Sequence, residues 1–136
     1  MSTASLRDWL WMLRSGQQIH VCHGTKGGRV RFVTPADREK AVAAVHNALQ
    51  VMKFQEGRLI DKPDLKSALR RYSWICTSIG MVGEKASHSL RYAFAQQHLN
   101  QLKEIGVRQR EARAIVSQLL GHGDGRGRWV ASVYSR

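Results

Sequence analysis

Apolar residues spaced three or four apart recur along most of this chain, in runs that glycine or proline interrupts. This spacing places apolar side chains on one face of an α-helix, which must then pack against another element. The pattern predicts helices over residues 4–14, 35–53, 63–79 and 87–105, and in a stretch after Gly106 that contains Ala112, Ile115, Val116, Leu119 and Leu120. A length of 136 residues is sufficient for one domain with its own core.

One segment departs from helical spacing. Residues 18–22 and 29–33 carry β-branched or aromatic residues at alternate positions, with Ile19 and Val21 in the first run and Val30 and Phe32 in the second. The glycine-rich turn 24–28 between them predicts an antiparallel hairpin with Lys26 at its tip. The predicted fold class is α+β, as one domain over residues 1–136 that is mainly helical and has one small antiparallel hairpin.

Local signals predict where several helices begin. Thr34 is a candidate N-cap, followed by Pro35 at the first helical position and Asp37 in the first turn. Ser87 is a candidate N-cap for the helix that runs to Ile105. Near the end of the chain, residues 121–128 contain four glycines and predict a loop, and residues 129–136 predict a short final helix.

The charge balance indicates the partner. Lysine and arginine total 22 against 10 acidic residues, for a net charge of +12, which attracts polyanions. Nucleic acid is the first candidate and an anionic membrane surface the second. No run of apolar residues is long enough to span a bilayer.

The cysteines argue against a disulfide framework. Cys22 and Cys76 are isolated thiols, consistent with a reducing cytoplasm. Strand alternation places His20 and Cys22 on one face and His23 on the other, and no second cluster has zinc-ligand spacing. The sequence therefore predicts a cytoplasmic protein without a metal site.

Arg91 is the most informative single residue. On a helical wheel it falls inside the apolar arc formed by Phe94, Leu102 and Ile105. A guanidinium on the core side is costly unless it pairs with a carboxylate or binds an anion, and the start of a helix favours an anion. His88, three residues earlier, lies on a neighbouring part of the same surface or merely caps the helix.

A histidine and a tyrosine follow in an order that suits phosphodiester chemistry. His122 lies in a Gly-His-Gly loop and Tyr134 lies two residues from the end. A tyrosine hydroxyl becomes a useful nucleophile only when nearby groups help to remove its proton. Attack on a phosphodiester builds negative charge on the phosphate oxygens, which a planar guanidinium meets with paired hydrogen bonds.

His-Ser-Leu-Arg at 88–91, Leu-Gly-His at 120–122 and Tyr134 together resemble the catalytic domain of a tyrosine recombinase of the phage integrase kind. The hairpin segment 24–35 is similar to the β-turn that bears the catalytic lysine in that family. The resemblance covers residues 18–136, and its specificity comes from four motifs in the family's order.

The resemblance implies a role for each matching residue. Tyr134 attacks the scissile phosphate to form a 3′-phosphotyrosine, and Arg91 holds the phosphate oxygens. His88 assists proton transfer, His122 hydrogen-bonds a phosphate oxygen, and Lys26 protonates the departing 5′ oxygen. The covalent intermediate retains the bond energy, so the resemblance implies no cofactor.

The chain departs from the family pattern in three places. Arg7, in Leu6-Arg7-Asp8, is the only local candidate for the family's first arginine, but it stands closer to Lys26 than the pattern requires and lacks the usual following acid. The interval from His122 to Tyr134 is longer than in many relatives, a difference that a loop absorbs at small entropic cost. The family's N-terminal DNA-clamping domain has no counterpart, so we expect a trimmed catalytic core or a remnant.

The expected partner is double-stranded DNA, with a homo-oligomer assembling on it. Basic residues outside the motifs are candidates for phosphate contacts: Lys66, Arg70, Arg71, Arg126 and Arg128. The alternative is a non-catalytic helical module that binds DNA or RNA, which predicts binding without a covalent adduct.

Overall fold

A computed structural model describes residues 2–23 and 30–121 of the chain. Within these ranges the fold is α+β and mainly helical, as predicted. Five α-helices and two short strands follow in the order α1 (Thr3–Arg14), β1 (Ile19–Val21), β2 (Arg31–Val33), α2 (Arg38–Phe54), α3 (Leu65–Ser78), α4 (Leu90–Glu104) and α5 (Gln109–Leu119). Short 3₁₀ turns at Gly83–Lys85 and Ser87–Ser89 lead from α3 into α4.

The predicted antiparallel pairing of the two strands is confirmed, and the predicted turn with Lys26 lies outside the described residues. β1 and β2 pair antiparallel, with Ile19 opposite Val33 and Val21 opposite Arg31. Because side chains alternate along a strand, this register places Arg31 on the same face as buried Ile19. Phe32 lies on the other face, exposed, with its ring edge-on to the imidazole of His20 at 4.5 Å.

α2 begins three residues later than its sequence signals indicate. The N-cap is Asp37, whose carboxylate accepts a hydrogen bond of 3.0 Å from the Lys40 N–H, rather than Thr34. The Thr34 hydroxyl instead accepts a hydrogen bond from the Gln18 side chain at 2.9 Å. The tertiary contact therefore holds Thr34 and Pro35 in the connection between β2 and α2.

A guanidinium joins the end of α1 to the start of α2. Arg38 donates hydrogen bonds to the carbonyls of Leu13 at 2.9 Å, Gln17 at 3.0 Å and Gly16 at 3.2 Å. The last carbonyls of a helix have no partner within it and carry partial negative charge. Arg38 donates to one of these carbonyls, that of Leu13, and to two carbonyls just after the helix, and so fastens the end of α1 to α2, against which α1 packs.

A second packing unit forms where α4 lies against α5. Ala95, Val116 and Leu120 make a buried cluster, and partly buried Phe94, Leu99 and Leu102 pack around it. Ala112, Val116 and Leu120 are buried, so the predicted apolar face of α5 is confirmed. α5 also contacts β2, which brings the hairpin to the end of this helix pair.

α3 does not bury the apolar side that its spacing predicts. Cys76 is buried, whereas Leu65, Leu69, Tyr72 and Ile79 are exposed. Trp74, predicted to belong to the core, is also exposed, and so is Ile105 at the end of α4. Helical spacing defines a common face, but it does not supply an element to cover that face.

The helices in the described part of the chain are all too short or too polar to cross a membrane. This agrees with the absence of long apolar runs in the sequence.

His98 on α4 is a buried histidine that the sequence analysis did not single out. Its side chain is 7% exposed and its ring lies against Phe94, with centroids 4.4 Å apart. Its Nε2 has no hydrogen-bond partner within the described residues. Burial lowers the pKa of His98, and a hydrogen bond with the Thr34 backbone opposes that shift. The wheel position of residue 98, about 80° from Leu90 and therefore between Phe94 and Leu102, was the signal that pointed to burial.

We expect His98 to make the fold sensitive to mild acid. Because its pKa is lower in the folded than in the unfolded chain, the unfolded chain binds the proton more readily. The free energy of unfolding should therefore be highest above pH about 6.5 and fall as the pH drops below that value. Urea unfolding across pH 5 to 8 measures this, and His98→Leu should flatten the profile. Gln97→Leu, a change to leucine at an exposed position of the same helix, should leave the slope as it is; an unchanged slope in His98→Leu would contradict the assignment.

Candidate functional site

Arg91 lies on the buried face of α4, as the helical wheel predicts, but its partner is not a carboxylate. It is half-buried, and its Nη2 donates a hydrogen bond of 2.9 Å to the carbonyl of Leu120. Leu120 is the C-cap of α5, so its carbonyl belongs to the negative end of that helix. The contact orients the guanidinium and joins the start of α4 to the end of α5.

His88 lies one turn before Arg91. It is the middle residue of the 3₁₀ turn Ser87–Ser89, which runs directly into α4. Its imidazole is exposed and meets the ring of Tyr92 edge-on, with centroids 6.2 Å apart. The prediction that Ser87 caps the helix is wrong, because Ser87 already belongs to the 3₁₀ turn and makes no side-chain cap.

The start of α4 is electrostatically suited to an anion. Within the described residues, neither the 3₁₀ turn nor α4 receives a side-chain cap at its first N–H groups. The preceding 3₁₀ turn satisfies the Ser89 and Leu90 N–H groups through backbone carbonyls, among them those of Ala86 and Ser87. The attraction for negative charge therefore comes from the positive end of the α4 dipole and from the adjacent guanidinium of Arg91. Arg91 and His88 therefore present one cation and one titratable ring at the same end of the helix.

The end of α5 has a backbone conformation that requires glycine. Gly121 has φ +75° and its N–H donates to the carbonyl of Gln118 at 2.8 Å. The positive φ disfavours any residue with a Cβ, and a Cβ at this position would lie 2.5 Å from Nε of Arg31, so the end of that side chain would have to move. The next residue in the chain is His122, so this turn leads directly into the predicted site residue.

Several predicted site residues lie outside the described part of the chain: Lys26, His122, Tyr134, Arg126 and Arg128. Their assignments stay predictions. The predicted final helix over residues 129–136 and the predicted loop over 122–128 also fall outside the described residues.

Arg7 is exposed on α1, directly after the buried Leu6. α1 packs mainly against α2 and also contacts β1. The assignment of Arg7 as the first catalytic arginine stays a prediction.

The three predicted DNA-binding residues on α3 are all exposed and define what we call the α3 surface, Lys66, Arg70 and Arg71. Lys66 and Arg70 line an open, mostly apolar depression together with Leu65, Leu69 and Ser73. The guanidinium of Arg71 lies over the ring of Trp74, 4.2 Å from its centroid. The surface combines positive charge with exposed apolar and aromatic groups.

Metal binding finds no support in the described residues, which contain no group of three or more histidine, cysteine, aspartate or glutamate side chains suited to hold an ion. Cys22 is an exposed free thiol and Cys76 a buried one. His20 is instead engaged with Phe32.

Arg31 is the contributor to this region that the sequence analysis missed. Val30 and Phe32 predicted this strand from the sequence, and Arg31 was given no role. The residue that could have indicated an inward position for Arg31 was Val33, because it lies on the same face of β2 and pairs with the buried Ile19.

Comparison with protein families gives one match. The model of a family described as integrase matches residues 1–97, which is most of the chain. The matched region runs from α1 through the first half of α4 and includes His88 and Arg91, and it ends before α5. No curated protein and no solved structure matches the chain.

Proposed function

Since the chain belongs to the integrase family of phage-type tyrosine recombinases, we propose that it cleaves and rejoins DNA during site-specific recombination through a 3′-phosphotyrosine intermediate. The family assignment supports DNA recombination as the general role. The observation that carries the catalytic proposal is the placement of Arg91, which lies at the uncapped start of α4 beside His88 and is hydrogen-bonded to the carbonyl two residues before His122.

The proposed reaction exchanges one phosphoester bond for another. The Tyr134 hydroxyl gives up its proton with the help of His88 as its oxygen bonds to the phosphorus. The bond to the 5′ oxygen breaks in the same step, and Lys26 gives that oxygen a proton. Negative charge grows on the two non-bridging oxygens, where a guanidinium and imidazole N–H groups stabilise it most. Attack by the 5′ hydroxyl of a second strand then reverses the step and releases Tyr134.

Arg91 is suited to its proposed role because its orientation is set before DNA binds. A guanidinium has five N–H donors, and the Leu120 carbonyl accepts from one of them. Among the described residues no other hydrogen bond engages this guanidinium, so its remaining donors can meet a phosphate. Preorganised donors stabilise a transition state without a reorganisation cost at the moment of reaction.

A second candidate function is DNA binding without cleavage. The α3 surface supports it, since it displays three exposed basic side chains that lie outside the proposed catalytic set. The matched family region also includes α3 but stops before His122 and Tyr134. Both candidates require DNA binding, and they differ in whether a covalent adduct forms.

We expect a covalent protein–DNA adduct that depends on Tyr134. A library of nicked duplexes with a randomised centre removes the need to know the target site. The wild-type chain should give an adduct that resists detergent and disappears on proteinase digestion, and Tyr134→Phe should abolish it. Tyr72→Phe, a matched change on α3, should keep it. An adduct that persists in Tyr134→Phe would reassign the nucleophile, and DNA binding without any wild-type adduct would favour the non-catalytic candidate.

Replacing Arg91 should impair cleavage more than binding. For Arg91→Ala we expect the rate of adduct formation to fall by about 10²–10³-fold, as for the loss of one transition-state donor, with a much smaller change in DNA affinity. Arg38→Ala is the matched control, because Arg38 also donates to helix-end carbonyls but belongs to the α1–α2 contact. It should lower the melting temperature without a selective loss of cleavage. Equal loss of cleavage and binding in Arg91→Ala would make Arg91 a structural residue.

The α3 surface should contribute to the salt dependence of DNA binding. Each lost phosphate contact reduces the slope of log K against log salt by about 0.9, so a triple change of Lys66, Arg70 and Arg71 to alanine should reduce it by roughly 2 to 3. A control with the same charge change replaces Lys40, Lys53 and Lys62, which lie outside α3. If the slope of log K against log salt is the same for the two triple variants, the α3 surface has no special role in DNA binding.

A further inference from the structure

Arg31 occupies an unusual position for a charged residue on a short strand. It is half-buried on the inward face of β2, the same face as Ile19 and Val33. Within residues 2–23 and 30–121, no hydrogen bond or ion pair engages its guanidinium. Its contact is instead with the backbone at the end of α5.

The contact with α5 is close. An ideal Cβ on Gly121 would lie 2.5 Å from Nε, 2.7 Å from Cζ and 2.8 Å from Cδ of Arg31. The end of the Arg31 side chain therefore covers the Cα of Gly121 and fills the space that a side chain would take. The packing of β2 against α5 is what brings the two residues together.

The same peptide unit receives Arg91. The Leu120 carbonyl and the Cα of Gly121 lie in one planar unit, because the peptide bond between them has partial double-bond character. Arg91 donates to the Leu120 oxygen of that unit, and the Arg31 side chain lies over the Gly121 Cα at its other end. A displacement of Gly121 therefore rotates the carbonyl on which the orientation of Arg91 depends.

We propose that Arg31 is a positioning residue for Arg91, acting through the Leu120–Gly121 peptide. It holds the end of α5 against β2, and so keeps the Leu120 carbonyl where the Arg91 guanidinium is aligned for a phosphate. The catalytic part of this inference rests on the proposed function. The structural part, that Arg31 stabilises the end of α5, is independent of it.

The activity test separates positioning from DNA binding. Arg31→Ala should slow single-turnover adduct formation by about 10- to 100-fold, since small misplacements of a catalytic group have effects of this size. Its DNA affinity and salt slope should match those of Arg14→Ala, an exposed charge-matched control on α1. Arg31→Lys should recover only part of the rate, because lysine lacks the planar group that covers Gly121. A rate loss matched by an affinity loss, with a salt slope reduced by about 0.9, would overturn the proposal and make Arg31 a phosphate ligand.

A double-mutant cycle tests whether Arg31 acts through Gly121. Gly121→Ala adds a Cβ where the Arg31 side chain lies, so it displaces Arg31 and slows adduct formation. In the Arg31→Ala background that collision is absent, so Gly121→Ala should slow adduct formation less than it does in the wild-type background. The combined effect should be smaller than the sum of the two single effects. Additive effects would contradict action through this peptide.

Hydrogen exchange gives a readout that does not need activity. The Leu120 and Gly121 N–H groups donate to the carbonyls of Val116 and Gln118. Arg31→Ala should speed the exchange of these two amides, whereas Arg14→Ala should not. If the wild-type chain forms no adduct but this exchange depends on Arg31, the proposed function falls and the structural role stands. If the exchange is the same in both variants, the positioning role is refuted whatever the activity.

Discussion

Two arginines, each in the first turn of a helix, donate to the carbonyls that end another helix, and the described fold depends on these contacts. Arg38 of α2 satisfies the end of α1, and Arg91 of α4 satisfies the end of α5. Helix-end carbonyls lack partners within their own helix, so a buried or half-buried end is costly until another group donates to it. A guanidinium suits this role because it reaches several acceptors at once and stays charged at any physiological pH.

The same arrangement prepares the second arginine for chemistry. Arg91 lies at the positive end of α4, which does not favour a cation, and the negative end of α5 offsets that cost. The guanidinium is therefore held at a helix start where an anion is favoured. A DNA phosphate would supply that anion in the proposed function. Arg31 contributes from a third element, which makes the geometry of Arg91 a property of α4, α5 and the hairpin together.

Much of the fold was predictable because each helix has a periodic apolar face and local signals near its ends. The antiparallel strand pairing between residues 18 and 33 and the buried face of α5 were predicted correctly. The errors arose where tertiary contacts overrode local signals. Thr34 and Pro35 have the composition of a helix start, but a contact with Gln18 keeps Thr34 outside α2 and Asp37 becomes the cap. At the start of α4, Ser87 has the composition of an N-cap, but it lies within a 3₁₀ turn that precedes the helix.

The sequence by itself determined the helical periodicity, the strand pairing, the basic charge and the order of the motifs that resemble those of the integrase family, because these depend only on residue types and their spacing. Tertiary structure alone decided that the Leu120 carbonyl is the acceptor of Arg91, that Arg31 lies against Gly121, and that the apolar side of α3 is uncovered. The physical reason is that each of these features joins residues far apart in the chain. Spacing within one element describes a face, and only the packing of another element determines what that face meets.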